Sequence, residues 1–317
     1  MRRMMQKDLH RVNMLLSRSF TQGRIDDGYQ ITHVPMCRSE FLDLYFSGCP
    51  EGCFVIEDAG QIQAAAFCHI WGKTGWIGPL AVIPEQHLLG LGKKMMVQCM
   101  DFLKKSDCTT IGLETSPRSN RNLGFYGKLG FLPRSLSIDV IRRVPTPEKR
   151  RYSQQHDIIY YSRCSESERN DFLTKVRFIT KLAAPAVDYS SLINLLPRFS
   201  FGETLLFLRH KIPIACAILQ TVPTSAEEKP SIMRSMAFVA HPKTPNSYFK
   251  YLVQDIETFA TELGLEQIHF RLSSHSTRAF NYFLANNFRI IHTDLRMTLA
   301  NYPERIQPMI FHMNRWA

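Results

Sequence analysis

The 317-residue sequence predicts an α+β protein of two tandem domains, on three observations. The chain exceeds the usual single-domain size, so two domains are expected. Residues 79 to 131 run through strand, turn, amphipathic helix, strand and short helix in close succession. Finally, a shift of 157 residues lays the second half on the first: Ile111 falls on Ile268, Leu113 on Phe270, Ser119 on Ser276, Arg121 on Arg278, Tyr126 on Phe283 and Phe131 on Phe288.

Each element has its own signal. Trp76, Ile77, Leu80, Val82 and Ile83 form an apolar run that reads as a buried strand. Gly90 and Gly92 follow it, and let a turn present backbone N–H groups at a helix start, where the helix dipole favours an anion such as a pyrophosphate. Leu91, Met95, Cys99, Phe102 and Leu103 then share one face at helical spacing, with Lys93, Lys94, Gln98, Asp101 and Lys104 elsewhere. Ile111 and Leu113 mark the next strand, and a short helix bearing Tyr126 precedes Gly130-Phe131. In the second half, Glu203 to His210, Ile212 to Gln220 and Phe249 to Ile256 answer Cys53 to Asp58, Gln61 to His69 and the helix after Gly92. The predicted units are residues 1–145, a basic, proline-bearing linker at 146–156, and residues 157–317.

Together, Leu80-Ala81-Val82-Ile83-Pro84, His87-Leu88-Leu89-Gly90-Leu91-Gly92 and Phe125-Tyr126-Gly127-Lys128-Leu129-Gly130-Phe131 resemble the signature of the GNAT superfamily of N-acetyltransferases. His87 stands where that family usually has Arg or Gln. The resemblance implies two tandem acyl-CoA N-acyltransferase domains, each a mixed, mostly antiparallel sheet flanked by helices. It implies acetyl-CoA as acyl donor, with the pantetheine arm along Leu80, Ala81 and Val82, the phosphates at residues 87–93 including Lys93, and Asn120 near the pantetheine or capping its helix.

Tyr126 occupies the position of the family's general acid: a tyrosine hydroxyl, with a reference pKa of about 10, suits protonation of a departing CoA thiolate. Its other reading is a core aromatic. A substrate ammonium must lose a proton before attack, and Glu114, His69 and His33 are the candidate bases, with Glu114 at the end of its strand near the expected substrate entrance. No cysteine or serine sits in an arrangement that would activate it as a nucleophile, so direct transfer to a primary amine is expected.

Composition narrows the alternatives. No apolar run approaches the roughly 20 residues that span a bilayer, and the first residues lack a signal-peptide pattern, so a cytoplasmic protein without a membrane partner is expected. The eight cysteines are scattered and include one close pair, Cys49 and Cys53, which suits reduced thiols rather than a disulfide framework or a zinc site. A net charge of +11 is shared between the halves with no basic arm, so nucleic acid is not an expected partner. The oligomeric expectation is a monomer or a homodimer.

The second copy departs where the chemistry should be. At the same shift Gly90 and Gly92 become Ser247 and Phe249, or Tyr248 and Lys250 if Pro84 is laid on Pro242; neither register leaves a glycine, Pro245 removes a donor from the loop, and Tyr126 becomes Phe283 beside Tyr282, so no second cofactor site is expected. The primary reading is therefore an acetyl-CoA-dependent N-acetyltransferase with its site in the first half. The reading from a different class is an acyl-CoA-binding sensor or interaction module without turnover.

Overall fold

A computed structural model of the chain describes residues 1–86, 89–144, 152–225, 227–305 and 310–315. The first half runs β1 (Arg2–Arg3), α1 (Leu9–Asp26), α2 (Ser39–Gly48), β2 (Phe54–Asp58), β3 (Gln61–Trp71), β4 (Thr74–Val82), α3 (Leu91–Lys105), β5 (Thr110–Thr115), α4 (Asn120–Lys128) and β6 (Phe131–Arg143). The second repeats that order: β7 (Asp157–Tyr160), α5 (Glu166–Ala183), α6 (Ser190–Arg198), β8 (Gly202–Arg209), β9 (Ile212–Gln220), β10 (Ile232–Ala240), α7 (Phe249–Glu262), β11 (Gln267–Ser273), α8 (Thr277–Ala285) and β12 (Arg289–Leu299). One further strand, β13 (His312–Asn314), follows. Residues 146–151 of the expected linker, and His87 and Leu88 of the expected cofactor loop, lie outside the described residues. Among the described residues no helix is long and apolar enough to cross a membrane.

The side-chain alternation of β3 shows how one strand serves two layers. Ala64, Ala66 and Cys68 face α3, where Met95, Met96, Cys99 and Leu103 pack on them with Ile111, Leu113 and Phe131. Ala65 and Phe67 face the other way, onto Val12, Leu16 and Leu42 of α1 and α2. Both faces are covered, so the run reads as continuously apolar rather than alternating. The second half repeats the plan, with α7 on one face and α5 and α6 on the other. On β5, Gly112 has no room for a side chain: a Cβ there would lie 2.2 Å from the buried indole of Trp76.

The two expected sheets are one. The strands run β1-β2-β3-β4-β5-β12-β6-β11-β10-β9-β8-β7, with β13 against β10. Within the sheet β4–β5 and β10–β11 are parallel, and the other pairings are antiparallel. The halves exchange their last strands: β12 lies between β5 and β6, and β6 between β12 and β11. Leu295 thus pairs with Thr115, and Ser273 with Ser137.

A buried ion network stitches these four central strands. Arg271 donates to both oxygens of Asp139 at 2.7 and 2.6 Å, to Glu114 Oε2 at 2.6 Å and to Asp294 Oδ2 at 2.9 Å. Arg296 donates to Glu114 Oε1 at 2.8 Å, to Glu304 Oε1 at 3.0 Å and to Asn314 Oδ1 at 2.6 Å. Burial alone would raise the proton affinity of Asp139, but its bonds from Arg271 and the nearby His269 hold the carboxyl far below the usual carboxylate range.

Removing one partner of such a network leaves a buried charge uncompensated. Arg296→Met is expected to lower the unfolding free energy in urea by about 3–5 kcal/mol. A loss well below 1 kcal/mol would show that Glu114 and Glu304 find other donors or water.

Candidate functional site

The site starts where the sheet opens. The parallel ladder between β4 and β5 pairs Thr74 with Thr110, Gly75 with Ile111 and Trp76 with Gly112, and ends there. Beyond it β4 stays with β3, Leu80 opposite Ala66 and Ala81 opposite Ala65, while β5 turns to β12. Ile77, Leu80 and Val82 from β4, and Leu113, Glu114 and Thr115 from β5, line opposite sides of a cavity of about 1830 Å³. The side chain of Ala81 packs away from it, among Ala65 and Phe67.

At one end the cavity meets the start of α3, where Gly90, Leu91, Gly92 and Lys93 line it. Gly90 caps the helix with φ at 79°, a left-handed conformation suited to glycine, and a Cβ there would meet open space. The first-turn N–H groups of a helix have no intrahelical acceptors, and the dipole adds partial positive charge, so this end of the cavity is suited to phosphate. Leu89 is exposed and does not line the cavity.

Tyr126 of α4 lines the same cavity, packed on Phe125 and Phe131 at ring separations of 5.2 and 6.2 Å. Burial pushes its hydroxyl up to about 12, so it keeps its proton at neutral pH, as a proton donor requires. Asn120, at the start of α4, also faces the cavity.

The opposite end is the central ion network. The Glu114 side chain is buried, and its two oxygens accept from Arg271, Arg296 and Ser137. Its lone pairs are largely committed, which suits an anchor better than a free base. His69, the second candidate, sits behind β4 with Nε2 2.8 Å from the Gly78 carbonyl, and burial lowers it to about 4. His33 is exposed beside Glu227 and does not line the cavity.

Sequence reading missed His292. It lies on β12, in the half without a glycine loop, and reaches the cavity because β12 is inserted beside β5. Its Nε2 is 3.0 Å from Asp294 Oδ1, and that bond raises its pKa against the opposing effect of burial. The pattern His292-x-Asp294 puts both side chains on one face of a strand, a signal present in the sequence but without a location until the strand order is known.

The second half has an equivalent wedge, and it is filled. The β10–β11 ladder ends at Arg234 and His269; beyond it Ala237, Phe238 and Val239, which the repeat aligns with Leu80, Ala81 and Val82, pair with Asn314, Met313 and His312 of β13. Phe249, aligned with Gly92, stacks on Phe311 with ring centroids 4.1 Å apart and planes within 5°. The chain's own strand thus occupies the groove that in the first half stays open.

Comparison with known proteins agrees with this geometry. The acetyltransferase (GNAT) family matches residues 11–131. No curated protein matches the sequence. Among solved structures, a putative acetyltransferase from Pyrococcus horikoshii is 13% identical and superposes over 100% of this chain and 94% of its own with a TM-score of 0.67. A GCN5-related N-acetyltransferase from Sphaerobacter thermophilus is 12% identical, over 97% of each chain, with a TM-score of 0.63. A tandem GNAT protein from the clavulanic acid biosynthesis pathway is 10% identical, over 96% of this chain and 98% of its own, with a TM-score of 0.63. Residues 11–131 thus match the acetyltransferase (GNAT) family, and the chain along its whole length has the fold of these solved structures, one of them a tandem GNAT protein.

Proposed function

We propose that the first half, residues 1–145, binds one acetyl-CoA in the wedge between β4 and β5 and transfers its acetyl group directly to a primary amine held at the central ion network. The observation that carries this reading is that one cavity joins the Gly90–Lys93 helix start, Tyr126 and His292. The α3 N–H groups and Lys93 take the phosphates. The edge of β4 at Leu80 to Val82 takes the pantetheine arm, and a backbone N–H on that edge stabilises charge developing on the thioester oxygen.

His292, oriented by Asp294, takes a proton from the substrate ammonium and so frees the lone pair that attacks. A C–N bond forms as the C–S bond breaks, and Tyr126 donates its proton to the leaving sulfur, to be reprotonated by solvent. Glu114 is a positioning residue: it holds Arg271 and Arg296, and Arg271 in turn holds Asp294. The second half supplies β12 and a filled cofactor groove rather than a second reaction centre.

Three measurements test this reading. Calorimetric titration is expected to find one acetyl-CoA per chain, with affinity lowered about tenfold or more in Gly90→Val, because a β-branched residue resists the left-handed conformation there. Two molecules per chain would mean that β13 yields its groove.

Tyr126→Phe is expected to lower kcat by about 100-fold or more, the scale of lost general acid catalysis, with acetyl-CoA affinity retained. Unchanged turnover would return Tyr126 to the core-aromatic role.

The third test is the pH profile. A base must be neutral to act, so activity falls as pH drops through the raised pKa of His292. Asp294→Asn removes the carboxylate charge that favours protonated His292, and is expected to move the acidic limb to lower pH at a fixed substrate. A limb that stays in place would exclude His292 as the group being titrated.

A further inference from the structure

The central network is internally matched. Every acid in it is already bonded to a donor: Asp139 to Arg271, Asp294 to Arg271 and His292, Glu114 to Arg271 and Arg296, and Glu304 to Arg296. At the β10–β13 end of the cavity, two more guanidinium groups join the wall, from Arg234 and Arg315.

Neither of these two is fully matched. Arg234 pairs with Glu228 through Nη2, but its Nη1 is shielded from water and has no hydrogen-bond acceptor among the described residues. Arg315 makes no ion pair among the described residues, and its Nη1 is likewise shielded and without an acceptor. Burial and the neighbouring Arg271 and Arg234 all disfavour its charge, while Asp139 and Tyr45 favour it. A guanidinium in this position is costly unless something brings it an acceptor.

Arg315 is also held in place. Its backbone N–H donates to Met236 O at 2.8 Å. The preceding residue, Asn314, accepts from Arg296 through both its side-chain and backbone oxygens. The strand that fills the second cofactor groove therefore carries an arginine to the wall of the first half's cavity.

We infer that the acceptor carries a carboxylate as well as its amine, and that Arg315, with Arg234 beside it, is the specificity-determining residue that binds the carboxylate. This rests on the acetyl-transfer reading above. A planar guanidinium offers a pair of parallel donors that match the two oxygens of a carboxylate. The amine then lies toward His292 and the β4–β5 wedge. On this account the second half lost its own cofactor groove to a strand that reads the acceptor for the first.

The test uses matched amines that differ by the carboxylate: L-lysine with cadaverine, L-phenylalanine with phenethylamine, and L-histidine with histamine. O-phosphoethanolamine with ethanolamine is the phosphate arm. Release of CoA thiol at saturating acetyl-CoA gives kcat/KM for each, and calorimetry monitors acetyl-CoA binding separately.

In at least one carboxylate pair the acid-bearing member is expected to be preferred by about tenfold or more, the scale of a charged hydrogen-bonded contact. Arg315→Ala is expected to collapse that preference through KM rather than kcat, with Arg315→Lys recovering part of it. Arg234→Gln, which leaves β13 untouched, is expected to reduce it less.

Equal use of both members of every pair, turnover of no carboxylate-bearing amine, preference confined to the phosphate arm, or a preference unchanged in Arg315→Ala would each overturn the inference. Failure of acetyl-CoA to bind would instead overturn the acetyl-transfer reading, and this one with it.

Discussion

The ion pair between Glu114 and Arg271 is the contact on which the rest of the molecule depends, because the repeat makes these two residues equivalents of one another. They are separated by 157 residues, the repeat length, and meet across the centre of the sheet at 2.6 Å. The same shift relates Asp139 to Arg296, which also belong to the network. At these two positions the first half has acids and the second has arginines. Exact copies would bring like charges together there, so the joint between halves requires divergence. Buried ion pairs contribute little net stability compared with apolar packing. They do fix register: a slip of one residue would turn Arg296 to the opposite face, among Met95 and Leu113, and leave Glu114 unpaired.

From that joint follows the division of labour. Strand exchange brings β12 beside β5, and with it His292 and Asp294 to a cavity whose glycine loop belongs to the other half. The two wedges began as the same solution to the same problem, a parallel pair of strands that separate after three residue pairs. One keeps Gly90 and Gly92 and stays open. The other has Phe249 in place of a glycine, stacked on Phe311, and a strand in the gap.

Much of this was legible in the residues. The repeat placed β2, β3, α3 and β5 a second time as β8, β9, α7 and β11, though not α1, α2, α5 or α6, and the helical spacing of Met95, Cys99 and Leu103 located the face of α3 that is buried. Gly90, Gly92 and Tyr126 were found by their order along the chain, and the structure places all three on one cavity. Strand order was not legible, because alternation marks a strand's two faces but carries no record of its neighbours. Glu114 therefore read as a carboxylate near an entrance, since its partners lie 157 and 182 residues away. His292 and Asp294 could not be placed for the same reason. The three residues of β13 are too few to show any period.

The exchanged strands also govern when the molecule can come into being. As the chain is made, β5 emerges long before β12, the strand that must lie along its open edge, and β6 waits for both β11 and β12. The first half therefore exists for most of synthesis with unsatisfied strand edges, a template for pairing with the wrong chain. Contacts between residues so far apart in sequence also form slowly, because a long loop must close before they repay its entropy. A chain of this design is most exposed to aggregation at birth rather than in its finished state.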